Sequence, residues 1–416
     1  MDLLSGTTYW PTTYPQPRTY PKLDEDIRCD VAIIGGGSSG AQCAYYFADS
    51  GLDTVLIDKG RFAQGSTSAN TALIQYAGEK SFVSLAHSFG EARAVQHLRN
   101  CKNAADEISA VATALSEGHP AYPIDYARRD SLYYASADSD VPALHQELEL
   151  LQRHGFAVDY WNAAEIGRRF AFRAPAALVY RNDGELNPYA FTYALLELAA
   201  KRGVRLYEHT EWSGSERNGD EVRMYMKNRR TIQARYVIVA EGYANQEVRS
   251  DRNATMASSY SIVTAPVADL PSRWHERMLL WETARPYIYL RTTADNRIIA
   301  GGLDENTAIP AERDRHLQAK TRQLLDELHQ RFPDIKAKAE FAMAAFYGGT
   351  HDGLPMIGLY EDHPNFLFLN AYGDNGLVYS MLLARMLRDA LAGGTGPDNL
   401  PDLYVRHQSV REAVRG

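Results

Sequence analysis

The chain is poor in cysteine: Cys29, Cys43 and Cys101 are the three it has in 416 residues. No two of them form a C-x-x-C pair. That excludes a disulfide framework and a cysteine-based zinc site, and it leads to the expectation of a reduced, cytoplasmic setting. The 12 histidines contain no His-x-x-x-His, so no metal site is expected. No 18 apolar residues run together, so no membrane span is expected. The first residues, "MDLLSGTTYWPTTYPQPRTYPKLDEDIR", lack a basic n-region and an apolar h-region, and are not read as a signal peptide. A basic excess is missing as well. Lys and Arg number 44 against 52 Asp and Glu, a net charge of −8, which argues against binding a nucleic-acid backbone. What remains is an ordinary globular composition, 45% apolar and 23% charged, with enough length for two or three domains' worth of core.

One glycine-rich stretch stands out, "CDVAIIGGGSSGAQCAYYFADSGLDTVLIDKG", Cys29 to Gly60. It has two readings. As Gly36-x-Ser38-x-Gly40 it fits a nucleophile elbow, but an elbow needs an established sheet and an oxyanion loop before it, and only a proline- and tyrosine-rich arm precedes. As Gly35-x-Gly37-x-x-Gly40 it is a phosphate-cradling turn. Val31 to Ile34 is a short apolar run of buried-strand type. Ala41, Ala44 and Ala48 then recur at helical spacing, Asp49-Ser50-Gly51 ends the helix, and Thr54 to Ile57 is a second strand closed by Asp58. Strand, tight turn, helix, strand and acid are in phase for a dinucleotide. The motif alone does not choose between NAD and FAD.

Further units follow. "GELNPYAFTYALLELAAKRGVRLY" predicts a helix with Asn187 as N-cap, Pro188 at its first position and Gly203 beyond its end. A strand follows it. "RYVIVAEGY" predicts another buried strand ending at Glu241-Gly242. Near the C-terminus, Phe366 to Leu369 reads as a strand, Gly373-Asp374-Asn375-Gly376 as a second glycine turn, and Leu377 to Leu391 as a helix stopped by Gly393-Gly394. Strand–glycine turn–helix units near both ends imply one nucleotide domain assembled from distant segments.

The order "GGGSSG", Asp58-Lys59, "GSTSAN", "GELNP", "VIVAEG", "IIAGGLDE", "DGLPMIG" and "YGDNG" resembles the D-amino-acid-oxidase-like (DAO) family of FAD-dependent oxidoreductases. Within it, the pattern is similar to the glycine oxidase, sarcosine oxidase and gamma-glutamylputrescine oxidase branch. The resemblance implies an α/β fold: an FAD-binding Rossmann-like domain of glutathione-reductase type, built from discontinuous segments, plus an α+β substrate domain with an antiparallel sheet. The expected division is an N-terminal arm (1–27), FAD-binding segments 28–85, 171–250 and 342–416, and substrate-binding segments 86–170 and 251–341. It implies FAD on Gly35, Gly37, Ser39 and Gly40 at the pyrophosphate, with Asp58 and Lys59 at the ribose. Ser66, Thr67, Asn70, Thr71 and Ala72 would lie along the dinucleotide, and Trp212 near the adenine. Ala240 and Gly242 would close a strand end, and Gly373, Asp374, Asn375 and Gly376 the pyrimidine edge of the flavin. There a helix N-terminus stabilises the negative charge of the reduced ring. Sarcosine-type relatives can tether FAD through a late cysteine; none occurs here after Cys101, so noncovalent FAD is expected.

The implied reaction is oxidation of the C–N bond of a small-molecule amine or amino acid. Hydride passes to flavin N5, the imine is hydrolysed, and O2 is the acceptor. Relatives often carry basic residues at the end of the "GST" stretch; here Ala72 and Gln75 stand there, which leaves a bulkier amine or polyamine-like substrate open. Substrate candidates are Gln75, Tyr260, Tyr289, Arg291, Tyr347 and His351. Arg291 could pair a carboxylate bidentately or be a solvated strand arginine. The alternatives are an FAD-dependent hydroxy-acid dehydrogenase with another acceptor, a flavin-binding protein without turnover, and an NAD(P) dehydrogenase using the first motif alone. No nucleic-acid partner is expected.

Overall fold

The computed structural model describes residues 2–394 and 396–408. Of the expected segment 342–416, Thr395 and 409–416 therefore lie outside the described residues, as does Met1 of the arm. Two large sheets organise the rest. The first is the expected nucleotide sheet. Its central strand, Ile27–Ile34, lies between Thr54–Ile57 and Thr231–Val239, parallel to both. Arg205–Tyr207 extends one side and Phe366–Asn370 the other, both parallel. Met356–Tyr360 then turns antiparallel at the edge, with Val405–Gln408 beside it. The central strand is apolar on both faces because both are covered. Val31 and Ile33 pack against helices. Ala32 and Ile34 pack under the antiparallel excursion Trp212–Asn218 and Glu221–Met226.

The second sheet has ten strands and is antiparallel except where Leu279–Glu282 runs parallel to Ala127–Tyr134. Its middle is Ala339–Thr350, Ala254–Thr264, Ile298–Glu305 and Ile288–Thr292 in spatial order. The last two form the hairpin expected at "TTADNR". Helix Pro310–Arg331 covers one face over a core that includes Trp274, Leu324 and Leu328. Strands from segments expected in the cofactor domain also belong to this sheet: Ala176–Glu185 and all but the first three residues of Ala339–Thr350, with the short strand Leu73–Ile74 on the former and Leu4–Gly6 of the arm on the latter. The arm is anchored by more than that strand. Trp10 Nε1 donates to Asn70 O at 2.7 Å, and the Tyr9 hydroxyl to Asp295 at 2.8 Å.

Local chemistry explains where the helices begin and end. Asn187 accepts from the N–H groups of Tyr189 and Ala190, with Pro188 next, so Pro188–Lys201 starts where capping and proline agree. Gly203 has φ +100° just past its end. No described helix is long and apolar enough to cross a membrane.

Candidate active site

Two glycines make the early turn. Gly35 has φ +104°, and a Cβ there would lie 2.6 Å from Ala240 O; a Cβ on Gly40 would lie 1.8 Å from Gly35 O. Strand, turn and helix Ser38–Phe47 therefore pack backbone to backbone. The helix begins without a side-chain cap of its own, leaving N–H groups and positive dipole toward the cleft. Thr67 of the "GST" segment reaches across, its Oγ1 accepting from Ser38 N at 2.9 Å. Asp58 accepts from Gly36 N and Gly60 N, both at 2.7 Å. Its burial raises the carboxyl pKa, against the pull of those two N–H groups. Glu241, unexplained by sequence, stands 3.8 Å from Lys59, and burial pushes its carboxyl pKa up too.

The late turn comes to the early one. Ser39 Oγ meets Ser380 Oγ of helix Gly376–Ala392 at 2.8 Å. A solvent-open cleft of about 1150 Å³ is lined by Gly35, Gly37, Ser39, Asp58, Lys59, Ser66, Thr67, Asn70, Ala240, Gly242 and Gly376. It shares Ser66, Asn70, Tyr243 and Gly376 with a second cavity of about 1010 Å³, which holds Thr71, Ala72, Gln75, Gly373 and Asp374. At the other end it shares Lys59, Glu241 and Ala244 with a recess that holds Trp212. The result is one elongated groove. Arg61 Nε and Ser66 Oγ are buried beside it with no hydrogen-bond partner. An arginine N–H and a hydroxyl left open beside a helix N-terminus suit a pyrophosphate, so the residues fit FAD.

The inner cavity is aromatic. Trp281, Tyr243, Tyr287, Tyr289, Phe346 and Tyr347 line it. Tyr133 stacks behind Trp281 at 3.9 Å, and the buried indole N–H of Trp281 has no partner. Gln75 is 8% exposed and heads a buried chain. Its Nε2 donates to Ser131 Oγ at 3.0 Å, and Ser131 donates to Asp183 at 2.6 Å. Burial raises Asp183 to about 7, opposed by the Ser131 and Tyr76 hydrogen bonds. Ala72 holds φ +52°, fixed by Asn70 Oδ1, which accepts the Ala72 N–H at 2.7 Å. Such a conformation costs a β-carbon residue of order 1–3 kcal/mol and persists where surroundings impose it.

Several expected residues sit elsewhere. Arg291 is 2% exposed and absent from the cavity lining. Its guanidinium stands 3.5 Å from Glu185, donates to Leu186 O at 2.9 Å and lies over the Trp10 ring. It is neither a substrate clamp nor a solvated arginine but an internal tie between sheet and arm. Tyr260 touches the cavity wall, but its hydroxyl turns away, to Glu305 at 2.9 Å. His351 is exposed and lines an outer cavity with Glu79, Lys80 and Tyr347. Asn375 is buried and donates to Ala77 O at 2.9 Å, holding the late turn rather than lining it. Gly40 is likewise a packing residue. Sequence reasoning missed Trp281, Tyr287, Asp304 and Arg61. Asp304 lay in view within "IIAGGLDE", without a signal of which face it takes.

A groove that joins a glycine turn from each end of the chain to an aromatic chamber defines an FAD-binding oxidoreductase. The chain belongs to the FAD dependent oxidoreductase family (DAO), whose pattern it matches over residues 30–390. Gamma-glutamylputrescine oxidoreductase of Escherichia coli (strain K12) is 24% identical over 396 residues, 93% of this chain and 89% of that protein. YhfW of Bacillus subtilis (strain 168), whose name carries a Rieske 2Fe-2S assignment, is 25% identical over 401 residues, 94% of this chain and 74% of that protein. The crystal structure of glycine oxidase from Geobacillus kaustophilus has the same fold, with TM-score 0.73 at 20% identity over 90% of this chain and 96% of that one.

Proposed function

We propose that this protein oxidises the C–N bond of an amine or amino acid. The observation that carries the reading is the convergence of the two glycine corners on one groove that ends in the aromatic cavity. Bound noncovalently, FAD supplies a two-electron acceptor for hydride from the substrate carbon, after which the imine hydrolyses in water and O2 takes the electrons. The names of the relatives, a gamma-glutamylputrescine oxidoreductase and a glycine oxidase, support a nitrogen substrate.

Each residue then has a task. Gly35, Gly37, Ser39, Ser66, Thr67 and Arg61 hold the pyrophosphate; Gly40 shapes the turn. Asp58 and Lys59 serve the ribose, with Trp212 toward the adenine. Ala240 and Gly242 line the groove between. Asn70, Thr71, Ala72 and the turn 373–376 receive the flavin. The aromatic walls exclude water, and Tyr289 and Tyr347 belong to them. Gln75 spends its Nε2 on Ser131, so its carbonyl is the end available to accept an N–H from the reacting amine. The amine must be neutral to give up hydride, which requires no acid–base dyad, only orientation. The second sheet forms the substrate side and the first sheet the cofactor side; Ala176–Glu185 and most of Ala339–Thr350, expected with the cofactor, belong to the substrate side.

The test is a visible spectrum of the purified protein and anaerobic bleaching with amines, amino acids and hydroxy acids, followed by peroxide measurement in air. Bleaching by a nitrogen compound with peroxide release is expected. Bleaching by hydroxy acids alone, or by nothing, overturns the reading.

A further inference from the structure

The inner cavity carries charge of one sign. Its charged side chains are Asp304 and Asp374; among the described residues no lysine, arginine or histidine lines it. Asp374 is accounted for. It accepts the backbone N–H of Glu79 and sits in the late glycine turn. Asp304 is so only in part: Ser259 hydrogen-bonds its carboxyl, but its Oδ1 is buried without a partner. The cations nearest it are committed elsewhere. Arg285 pairs with Glu79 at 3.3 Å and donates to four backbone carbonyls. Lys320 pairs with Glu305 at 2.9 Å and donates to Leu303 O. A carboxylate in such surroundings carries a desolvation cost that a counter-ion offsets. Lys320 and Arg285 act on Asp304 only from a distance, and no ion pair to it is formed among the described residues.

Position adds to charge. Asp304 and Tyr347, like Gly373 and Asp374 of the late turn, line both the inner cavity and the outer one, whereas Gln75 lines only the inner. Asp304 thus stands where the two cavities meet, apart from the group read above as the acceptor for the reacting nitrogen. We propose that Asp304 is a specificity-determining residue that holds a second, protonated nitrogen, so the substrate is a diamine or polyamine whose other amine is oxidised. The proposal rests on the amine reading and sharpens it. Asp304 cannot serve the reacting nitrogen itself, because a carboxylate there would stabilise the ammonium form, which has no lone pair to assist hydride departure. An α-amino acid is disfavoured, since its carboxylate would enter a cavity that already holds two.

The holoenzyme decides this with alkane diamines of three to six carbons, monoamines of matched length, and the matching ω-amino acids, each followed by anaerobic flavin bleaching. The expected order in kcat/KM is diamine over monoamine over amino acid. The best diamine should lead its monoamine by roughly 10- to 100-fold, the lower end of what one close charge pair contributes. In Asp304→Asn the diamine-to-monoamine ratio should collapse to near one, with the change in KM rather than kcat, while Asp304→Glu keeps part of the preference. Equal use of diamines and monoamines by the native enzyme overturns the proposal even if Asp304→Asn fails to fold. So does a preference that survives in a folded, yellow Asp304→Asn protein. Bleaching by monoamines or amino acids without diamine preference leaves the proposed function standing; no bleaching by any amine or amino acid removes both.

Discussion

Consider Gly40→Ala. The new Cβ would lie 1.8 Å from Gly35 O, where ordinary contact begins at 3.4 Å. The two backbones must separate by the difference, 3.4 − 1.8, about 1.6 Å. Neither side can yield cheaply. Gly35 is itself wedged, with Ala240 O 2.6 Å from where its own Cβ would be, and Gly40 lies in the first turn of a helix whose face is buried. Overpacking of this kind costs about 1–3 kcal/mol. The displacement falls on the turn that cradles the cofactor, so a comparable loss of FAD affinity is expected, about 5- to 150-fold. Flavin fluorescence quenching on titration of the apoprotein measures it, and thermal melts of the apoprotein measure the stability cost separately. Gly167→Ala is the control. A Cβ there meets nothing within 4 Å, and its φ is ordinary, so its effect should stay within about 0.5 kcal/mol. If Gly40→Ala bound FAD as tightly as the native chain and melted at the same temperature, the geometry assigned to the turn would be wrong.

Asp183 should leave a signature in pH. Burial raises its carboxyl from 3.8 to about 7. The stability it contributes is therefore present below about pH 4 and is lost as pH rises through about 7, because the unfolded chain releases that proton first. Urea midpoints from pH 4 to 8 should fall with this component in the native protein, and the difference from Asp183→Asn should flatten above pH 7. Arg291→Met should lower stability by about 1–3 kcal/mol, less than full orphaning of a buried partner, because Arg129 still holds Glu185 at 2.9 Å. The variant's ratio of diamine to monoamine use should match the native ratio. Acid precipitation should release all flavin into the supernatant, since Cys29, Cys43 and Cys101 are buried and none follows them. With amines, kcat/KM should climb about tenfold per pH unit below the substrate's pKa, as the neutral fraction grows.

Much of the fold is legible because local signals coincide with tertiary demand. The early turn, the cap at Asn187 with Pro188, Gly203, and the hairpin at "TTADNR" each impose a backbone conformation that only certain residues accept. The late turn is legible for the same reason. What escaped was direction. Arg291 sits in an alternating strand run, and nothing in its neighbours reveals that Glu185, 106 residues earlier, and Trp10 wait on its side of the sheet.

Asp304 shows the same limit more sharply. Along Ile298–Glu305, Ile298 and Ala300 point to the core under helix Pro310–Arg331, and Ile299 to the opposite side. Strict alternation would send residue 304 after them, toward the helix. The strand does not alternate strictly. Gly302 has φ +123° and Leu303 φ +57°, and the register to the neighbouring strand shifts between Ser258 and Tyr260. The irregularity flips the parity of everything beyond it. Glu305 therefore turns to His316, Lys320 and the Tyr260 hydroxyl on the helix side, and Asp304 turns into the cavity. A Cβ at Gly302 would lie 2.1 Å from Tyr287 O, so any side chain there would push the hairpin apart. The same glycine that hides Asp304 from a reading by alternation is what delivers its carboxylate to the site.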